Sequence, residues 1–304
     1  MTTSLFADES SPLVRSSQVL IVGAGPVGRA LHQALAHVGY SVRSWSRSQG
    51  PLWPGEVASR PAEIVILAVR DDAISQAAEY IVSHGGADEH SVLLHCAGGR
   101  APSQVLGAVR PKVKGIGLLH PLRSFVHPGG VDESEGSGPQ SEQELSGTVL
   151  AIVGDTAGIA AGQELCKALS GVPLLLSEDR LPLYHAAAVL AAGHVATLLD
   201  VAVQLLSRAG LPKQEGQRAL CDLTASVLRN IAQVGLPQAL TGPVARGDAQ
   251  TVSDHLDALN RVSCQVGDVY RVVAESSLDV AYRKGAADDA ALAAVDKVLS
   301  SRRG

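Results

Sequence analysis

Aromatic residues are scarce: Phe, Trp and Tyr make up 3% of the 304 residues, and there is a single Met. A chain that is nonetheless 46% hydrophobic must build its cores from Ala, Val, Leu and Ile, the set that suits parallel strands and closely packed helices. Cysteine is also sparse. Cys96, Cys166, Cys221 and Cys264 form neither a CxxC pair nor a dense framework, which excludes a disulfide scaffold and fits reduced thiols in the cytoplasm. Basic charge is lacking too. A net charge of −5 without a basic patch excludes a nucleic-acid partner held through its phosphates, and no metal is expected. Residues 1–17 lack the basic start and apolar run of a signal peptide, so they are expected to form a flexible tail. Leu183 to Leu206 carries one formal charge, Asp200, and approaches the length of a membrane span. Asp200, Gln204, two histidines and the many alanines point instead to a buried central helix of a soluble protein, with no membrane partner.

The length accommodates two domains. Gln18–Val22, Ser41–Trp45, Glu63–Val69, Ser91–His95, Gly115–Leu119, Thr148–Val153 and Val172–Leu176 are short apolar runs alternating with helical periodicity, the pattern of an α/β domain with a parallel sheet. Residues 127–147 are rich in Gly, Pro, Ser and acidic side chains and are expected to form an exposed insertion. After Glu178 only helical patterns remain, over about 181–209, 213–234, 248–259, 264–284 and 287–302. The expected division is therefore a tail (1–17), a Rossmann-type domain (18–178) and an all-helical domain (179–304).

Gly23-Ala24-Gly25-Pro26-Val27-Gly28 satisfies GxGxxG between a strand and a helix, the context in which that pattern binds a dinucleotide. The first glycine permits the tight turn, the second lets the backbone approach a pyrophosphate, and the third allows close helix packing. An NAD site places a carboxylate about 20 residues later. Here Ser46, Arg47 and Ser48 stand at the end of the second strand, offering hydroxyls and a guanidinium fork to a 2′-phosphate, so NADP(H) is the expected cofactor. Ala68 and Val69 end the third strand on the same side, and Ala97-Gly98-Gly99 follows the fourth, where small residues would let the nicotinamide lie close to the backbone.

Taken together, Gly23–Gly28, Trp45-Ser-Arg-Ser48, His120-Pro121 with Ser124-Phe125, Tyr184-His-Ala-Ala-Ala188, and Thr241-Gly-Pro-Val-Ala-Arg-Gly-Asp248 with His255 resemble the Rossmann-like proteins that carry the C-terminal domain of unknown function 2520. The resemblance spans roughly residues 17–300, and its most specific part is the TGPxxRGD run. It implies membership of a wider group with ketopantoate reductases, pyrroline-carboxylate reductases and 3-hydroxyacid dehydrogenases: an N-terminal NADP domain, a helical C-terminal domain used for homodimerisation, and a substrate cleft between them. The implied activity is reduction of a small carbonyl metabolite, with 2-dehydropantoate (ketopantoate) the best single choice. A cyclic-imine reductase and a non-catalytic NADP-binding sensor or scaffold remain open. The sequence departs from the group in lacking the Lys with an Asn one turn later on the long helix; Ala192-Gly193-His194 stands where a Ser-Asn pair is common.

Reduction of a carbonyl needs an acid for the developing alkoxide, and His is the natural acid near neutral pH. His120 ends a strand on the ligand-binding edge of the sheet and His185 opens the long helix, so these two are the expected catalytic residues, with His95 a weaker third. Arg123, Thr241 and Arg246 are expected to bind the substrate, the two arginines as forks for a carboxylate. For Arg246 and Asp248 the rival role is structural, a turn with Asp248 capping the next helix.

Overall fold

A computed structural model describes residues 15–49, 61–125 and 145–301. Most of the expected tail and of the insertion at 127–147 therefore lies outside the described residues. The chain divides into two compact units, Met1–Ala192 and Gly193–Gly304.

The first unit is a seven-stranded sheet in the order β2-β1-β3-β4-β5-β6-β7. Its strands are β1 (Arg15–Val22), β2 (Tyr40–Trp45), β3 (Ile64–Leu67), β4 (Val92–His95), β5 (Gly115–Pro121), β6 (Val149–Gly154) and β7 (Val172–Leu175). The helices of this unit are α1 (Pro26–His37), α2 (Ile74–Ser83), α3 (Pro102–Leu106), α4 (Thr156–Ala168) and α5 (Leu181–Ala191). Strands β1 to β5 are mutually parallel, so all five carboxyl ends reach one edge. The expectation of a parallel sheet needs one correction, because β6 runs antiparallel to β5. An antiparallel neighbour needs no crossover helix, and no helical pattern separates these two strands in the sequence. A second correction concerns the tail: β1 begins at Arg15, where Arg15 pairs with Tyr40.

Alternate residues of β1 serve opposite faces. Val19 and Ile21 pack with Leu31 and Leu35 of α1 and Leu165 of α4, whereas Leu20 and Val22 pack with Ile74 and Ile81 of α2 and Leu106 of α3. Helices thus cover both faces of a sheet whose central strands are apolar throughout. Each fully buried aliphatic side chain contributes about 1.5–3 kcal/mol of burial free energy. Leu145, from the segment expected to be an exposed insertion, is buried in the α1/α4 core.

The second unit contains α6 (Gly193–Arg208), α7 (Lys213–Val234), α8 (Ala249–Val262), α9 (Cys264–Lys284) and α10 (Asp289–Ser301). Its core is formed by α8, α9 and α10 through Val252, Leu256, Leu278, Leu292, Val295 and Leu299. Lys284 near the end of α9 donates to the carbonyls of Gln238 (3.1 Å) and Leu240 (2.6 Å), tying down the loop after α7. The single helix expected over 181–209 is divided in two: α5 ends at Ala191 with Ala192 as its C-cap, at φ −119° and ψ −77°, and a new helix begins at Gly193. Nor is this stretch buried. Leu183 is 78% exposed and Leu190 62%, and Glu178–Arg208 is the one segment among the described residues long and apolar enough to cross a membrane. Hydropathy showed that a face of these helices needs covering, and it carries no information on what covers it.

Candidate active site

The site occupies the edge where β1 to β5 end. Gly23, at the end of β1, donates its N–H to Trp45 O (2.8 Å) and takes φ +122°, where a Cβ would lie 2.2 Å from Ala68 O. Only glycine fits between the ends of β2 and β3 in that conformation. Helix α1 then starts with Gly25 as N-cap and Pro26 in the first position, and no side chain caps it. Its first-turn N–H groups are thus left for an anion, at the positive end of the helix dipole. At Gly25 no atom lies within 4 Å of where a Cβ would stand, so the approach to those groups is open. A cradle of this form fits the pyrophosphate of a dinucleotide.

A cavity of about 630 Å³ adjoins the glycine turn, walled by Trp45, Arg47, Ala68, Val69, Arg70 and Tyr80 among others. The Trp45 and Tyr80 rings stack at 5.2 Å and 9°. Its apolar walls and near-parallel rings suit a flat heteroaromatic group. Ser46 and Ser48 are joined by a hydrogen bond of 2.9 Å at the end of β2. Seven of the expected cofactor residues, Gly23, Ala24, Gly25, Ser46, Arg47, Ala68 and Val69, thereby line this cavity or its rim.

Further along the same edge, three histidines cluster. His120 Nδ1 lies 2.7 Å from the Tyr184 hydroxyl, and the His120 and His185 rings sit edge to face at 6.2 Å. A Cβ on Gly98 would lie 2.9 Å from His120 Nε2 and 3.0 Å from His185 Nδ1, so both nitrogens converge on the same point above Gly98. The glycine at 98 makes room for the two imidazoles, because a Cβ there would press on both rings. Helix α5 is held in place by Leu181, buried against Leu118, Ala151 and Val153 with Tyr184 packed beside it. Glu178, just before α5, accepts hydrogen bonds from the Ser103 N–H (2.9 Å) and hydroxyl (2.5 Å).

The electrostatics correct one expectation. Burial, followed by the neighbouring His185 and opposed by Asp71, pulls the His120 pKa down to about 4. His120 is consequently a neutral imidazole at pH 7 and holds no imidazolium proton to give away. Burial and His120 likewise bring His95 to about 4. His95 is fully buried; its Nδ1 accepts from the Ala97 N–H (3.2 Å), which places the ring hydrogen on Nε2, where it has no partner among the described residues. His185 Nδ1 is also buried without a partner among the described residues. Burial raises Tyr184 to about 12, so its hydroxyl retains its proton. The Cys96 thiol, pushed up to about 12 by burial, offers no thiolate.

The expected substrate residues are distributed differently. Arg123 is exposed just past β5. Thr241 and Arg246 belong to the second unit, in the loop before α8, and both are exposed. Asp248 caps α8, accepting from the Thr251 N–H (3.0 Å) and hydroxyl (2.6 Å), which is the structural role weighed for it. Two site residues had no role assigned from sequence. Tyr184 is found only when α5 is laid across the ends of β4 and β5. Arg29 was legible in principle, since residues 29, 32 and 33 share one face of α1. Among the described residues no group of His, Cys, Asp and Glu is arranged to hold a metal.

The fold and this edge define a Rossmann-like α/β protein with a helical C-terminal region. Residues 148–277 match the family model described as domain of unknown function (DUF2520). Among solved structures, it is similar to a Bacteroides fragilis protein assigned provisionally as an NADP oxidoreductase, with 20% identity over 86% of this chain and 97% of that one and a TM-score of 0.64. It is also similar to a Thermotoga maritima protein (19% identity, 94% and 100% covered, TM-score 0.63). A third is the pyrroline carboxylate reductase of Plasmodium falciparum with NADP bound (12% identity, 86% and 98% covered, TM-score 0.54). At these identities the likeness establishes the fold. A search of curated proteins finds no sequence match.

Proposed function

We propose that this chain is an NADP(H)-dependent oxidoreductase that reduces the C=O or C=N bond of a small metabolite. The observation that carries the reading is the meeting, on one sheet edge, of an open pyrophosphate cradle at Gly23–Gly28 with a half-buried, hydrogen-bonded His120–Tyr184 pair. The dinucleotide, when bound, supplies the hydride. The protein's part is to orient the reacting bond, exclude water and hold a proton where negative charge develops. Neutral His120 does so if the Tyr184 hydroxyl donates to Nδ1, leaving Nε2–H aimed at the space above Gly98. His185 Nδ1 faces the same point and can accept from, or position, the substrate hydroxyl.

Ketopantoate is the substrate we favour, on the family resemblance; a cyclic imine is next, by analogy with the Plasmodium falciparum reductase. The test is loss of NADPH absorbance with a panel of 2-oxo acids and cyclic imines, repeated with His120→Gln and Tyr184→Phe. A second reading is a non-catalytic NADP-binding protein, favoured by the neutrality of His95 and His120 and by the lack of Lys in α5 and α6. Tight NADPH binding without turnover across the panel would establish it.

We also propose a homodimer formed through the C-terminal helices. Leu223 (58% exposed), Leu228 (60%) and Val234 (56%) leave a large apolar stretch of α7 in need of a partner. All four cysteines are free thiols, in keeping with a cytoplasmic protein.

A further inference from the structure

Beyond Ser46, Arg47 and Ser48, a second cation stands at the end of β2. Arg29 follows Gly28 on α1, and its guanidinium Nη1 donates to Ala24 O (2.5 Å) in the glycine turn. That bond clamps the fork, while Nη2 is buried and has no hydrogen-bond partner among the described residues. No ion pair of Arg29 occurs there either. A charged N–H without an acceptor among the described residues is a donor that a bound anion can satisfy.

The fork lines a separate pocket of about 410 Å³, between α1 and the end of β2, together with His32, Ser44, Ser46 and Ser48. His32 is fixed by a 2.6 Å hydrogen bond to the Ser44 hydroxyl. Among the described residues no carboxylate lines the pocket to compete for the cation or repel an anion. Arg47, by contrast, is exposed on the short turn past β2 and borders the larger cavity on the other side. The pocket thus has a charged wall from α1, a hydroxyl wall from β2, and the glycine turn as its floor.

We propose that Arg29 is a specificity-determining residue, and that this pocket takes a phosphomonoester, the 2′-phosphate of the dinucleotide, between the Arg29 fork and the Ser46 and Ser48 hydroxyls. This rests on the reading of the chain as an NADP(H) binder. A bidentate guanidinium–phosphate contact is strong and directional, and it is available only to the 2′-phosphorylated cofactor. Arg47 then acts as an outer, solvent-screened cation that adds less discrimination.

The experiment is titration of the full chain with NADPH, NADH, 2′,5′-ADP and inorganic phosphate, for the wild type, Arg29→Gln, Arg29→Lys, Arg47→Ala and Ser48→Ala. Arg29→Gln is expected to weaken NADPH and 2′,5′-ADP by about 10- to 100-fold and to leave NADH within a factor of about two. Arg29→Lys should recover part of that loss, because it keeps the charge and gives up the fork. Arg47→Ala is expected to cost less than Arg29→Gln. Unchanged NADH binding and an unchanged thermal midpoint certify that the variant is folded. The inference is overturned if Arg29→Gln leaves the NADPH-to-NADH ratio as it was, or if it weakens both cofactors equally, since Arg29 would then serve only to hold Ala24. Competition by inorganic phosphate as strong as that by 2′,5′-ADP would assign the pocket to free phosphate and likewise overturn it. Failure of wild type to bind either dinucleotide would sink the parent reading, a separate outcome.

Discussion

The two units of this chain bury their hydrophobic residues in different ways. In the sheet unit both faces of β1, β3 and β4 are covered, and Leu94, Leu93, Ile66 and Val65 are completely inaccessible. In the helical unit a core of nine residues lies between α8, α9 and α10, while α7 leaves Leu223, Leu228 and Val234 in the open. The first unit is built to hold a rigid edge on which ligand groups are aligned; the second is built with a surface to spare.

The largest effect expected from this contrast is in catalysis. Replacing His120 by Gln should lower kcat/KM by about 10²–10⁴-fold if the proton-handling group lies on the sheet edge. Arg246→Ala, in the helical unit, tests the substrate role expected from sequence: a raised KM at nearly constant kcat would support that role, and an unchanged KM would leave Arg246 without it.

Stability separates the units next. Trp45 is buried in the sheet unit, so its fluorescence reports on that unit, while far-ultraviolet circular dichroism reports on the helices of both units. Leu94→Ala and Leu256→Ala should each cost about 2–5 kcal/mol. If the units unfold separately, in urea the first should shift the fluorescence transition and only the part of the dichroism that comes from α1 to α5, and the second should shift the rest of the dichroism and leave the fluorescence transition in place. Coincident shifts in both variants would mean that the units unfold as one.

The pH dependence sharpens the difference. His95 has a folded pKa of about 4 against an ordinary value of 6.5. As pH falls from 6.5 to 4 the unfolded chain takes up a proton that the folded chain refuses, so stability is lost over that window, by up to about 3 kcal/mol. The helical unit behaves otherwise. Hydrogen bonds from the Thr251 side chain and backbone hold Asp248 below the usual carboxylate range, so its contribution persists until the pH drops below about 4. Between pH 6.5 and 4 the fluorescence midpoint should fall, and His95→Leu should remove about half of that slope, the remainder coming from His120, which is lowered to about 4 as well. A slope unchanged in that variant would remove His95 as the cause.

The smallest effect on folding should come from Leu223→Gln with Leu228→Gln, within about 0.5 kcal/mol of wild type. The same pair should convert a dimer to a monomer in size-exclusion chromatography with light scattering. A wild-type mass equal to one chain would end the dimer proposal before the variants are made.

Much of this was determined by sequence alone. The strands of the sheet and the helices flanking it follow from apolar runs and period-3.6 patterns, and the glycine turn is legible because Gly23, Gly25 and Gly28 stand between a strand and a helix. These are local signals, set by backbone sterics and burial within a few residues of each other. What only the tertiary structure decided is non-local. The antiparallel β6 and the meeting of Tyr184 with His120 across 64 positions of sequence both depend on which elements lie side by side. The charge state of His120 belongs with them: the sequence shows a histidine near its ordinary pKa, and only packing against His185 and the sheet removes the water that would have kept it titrating near neutrality.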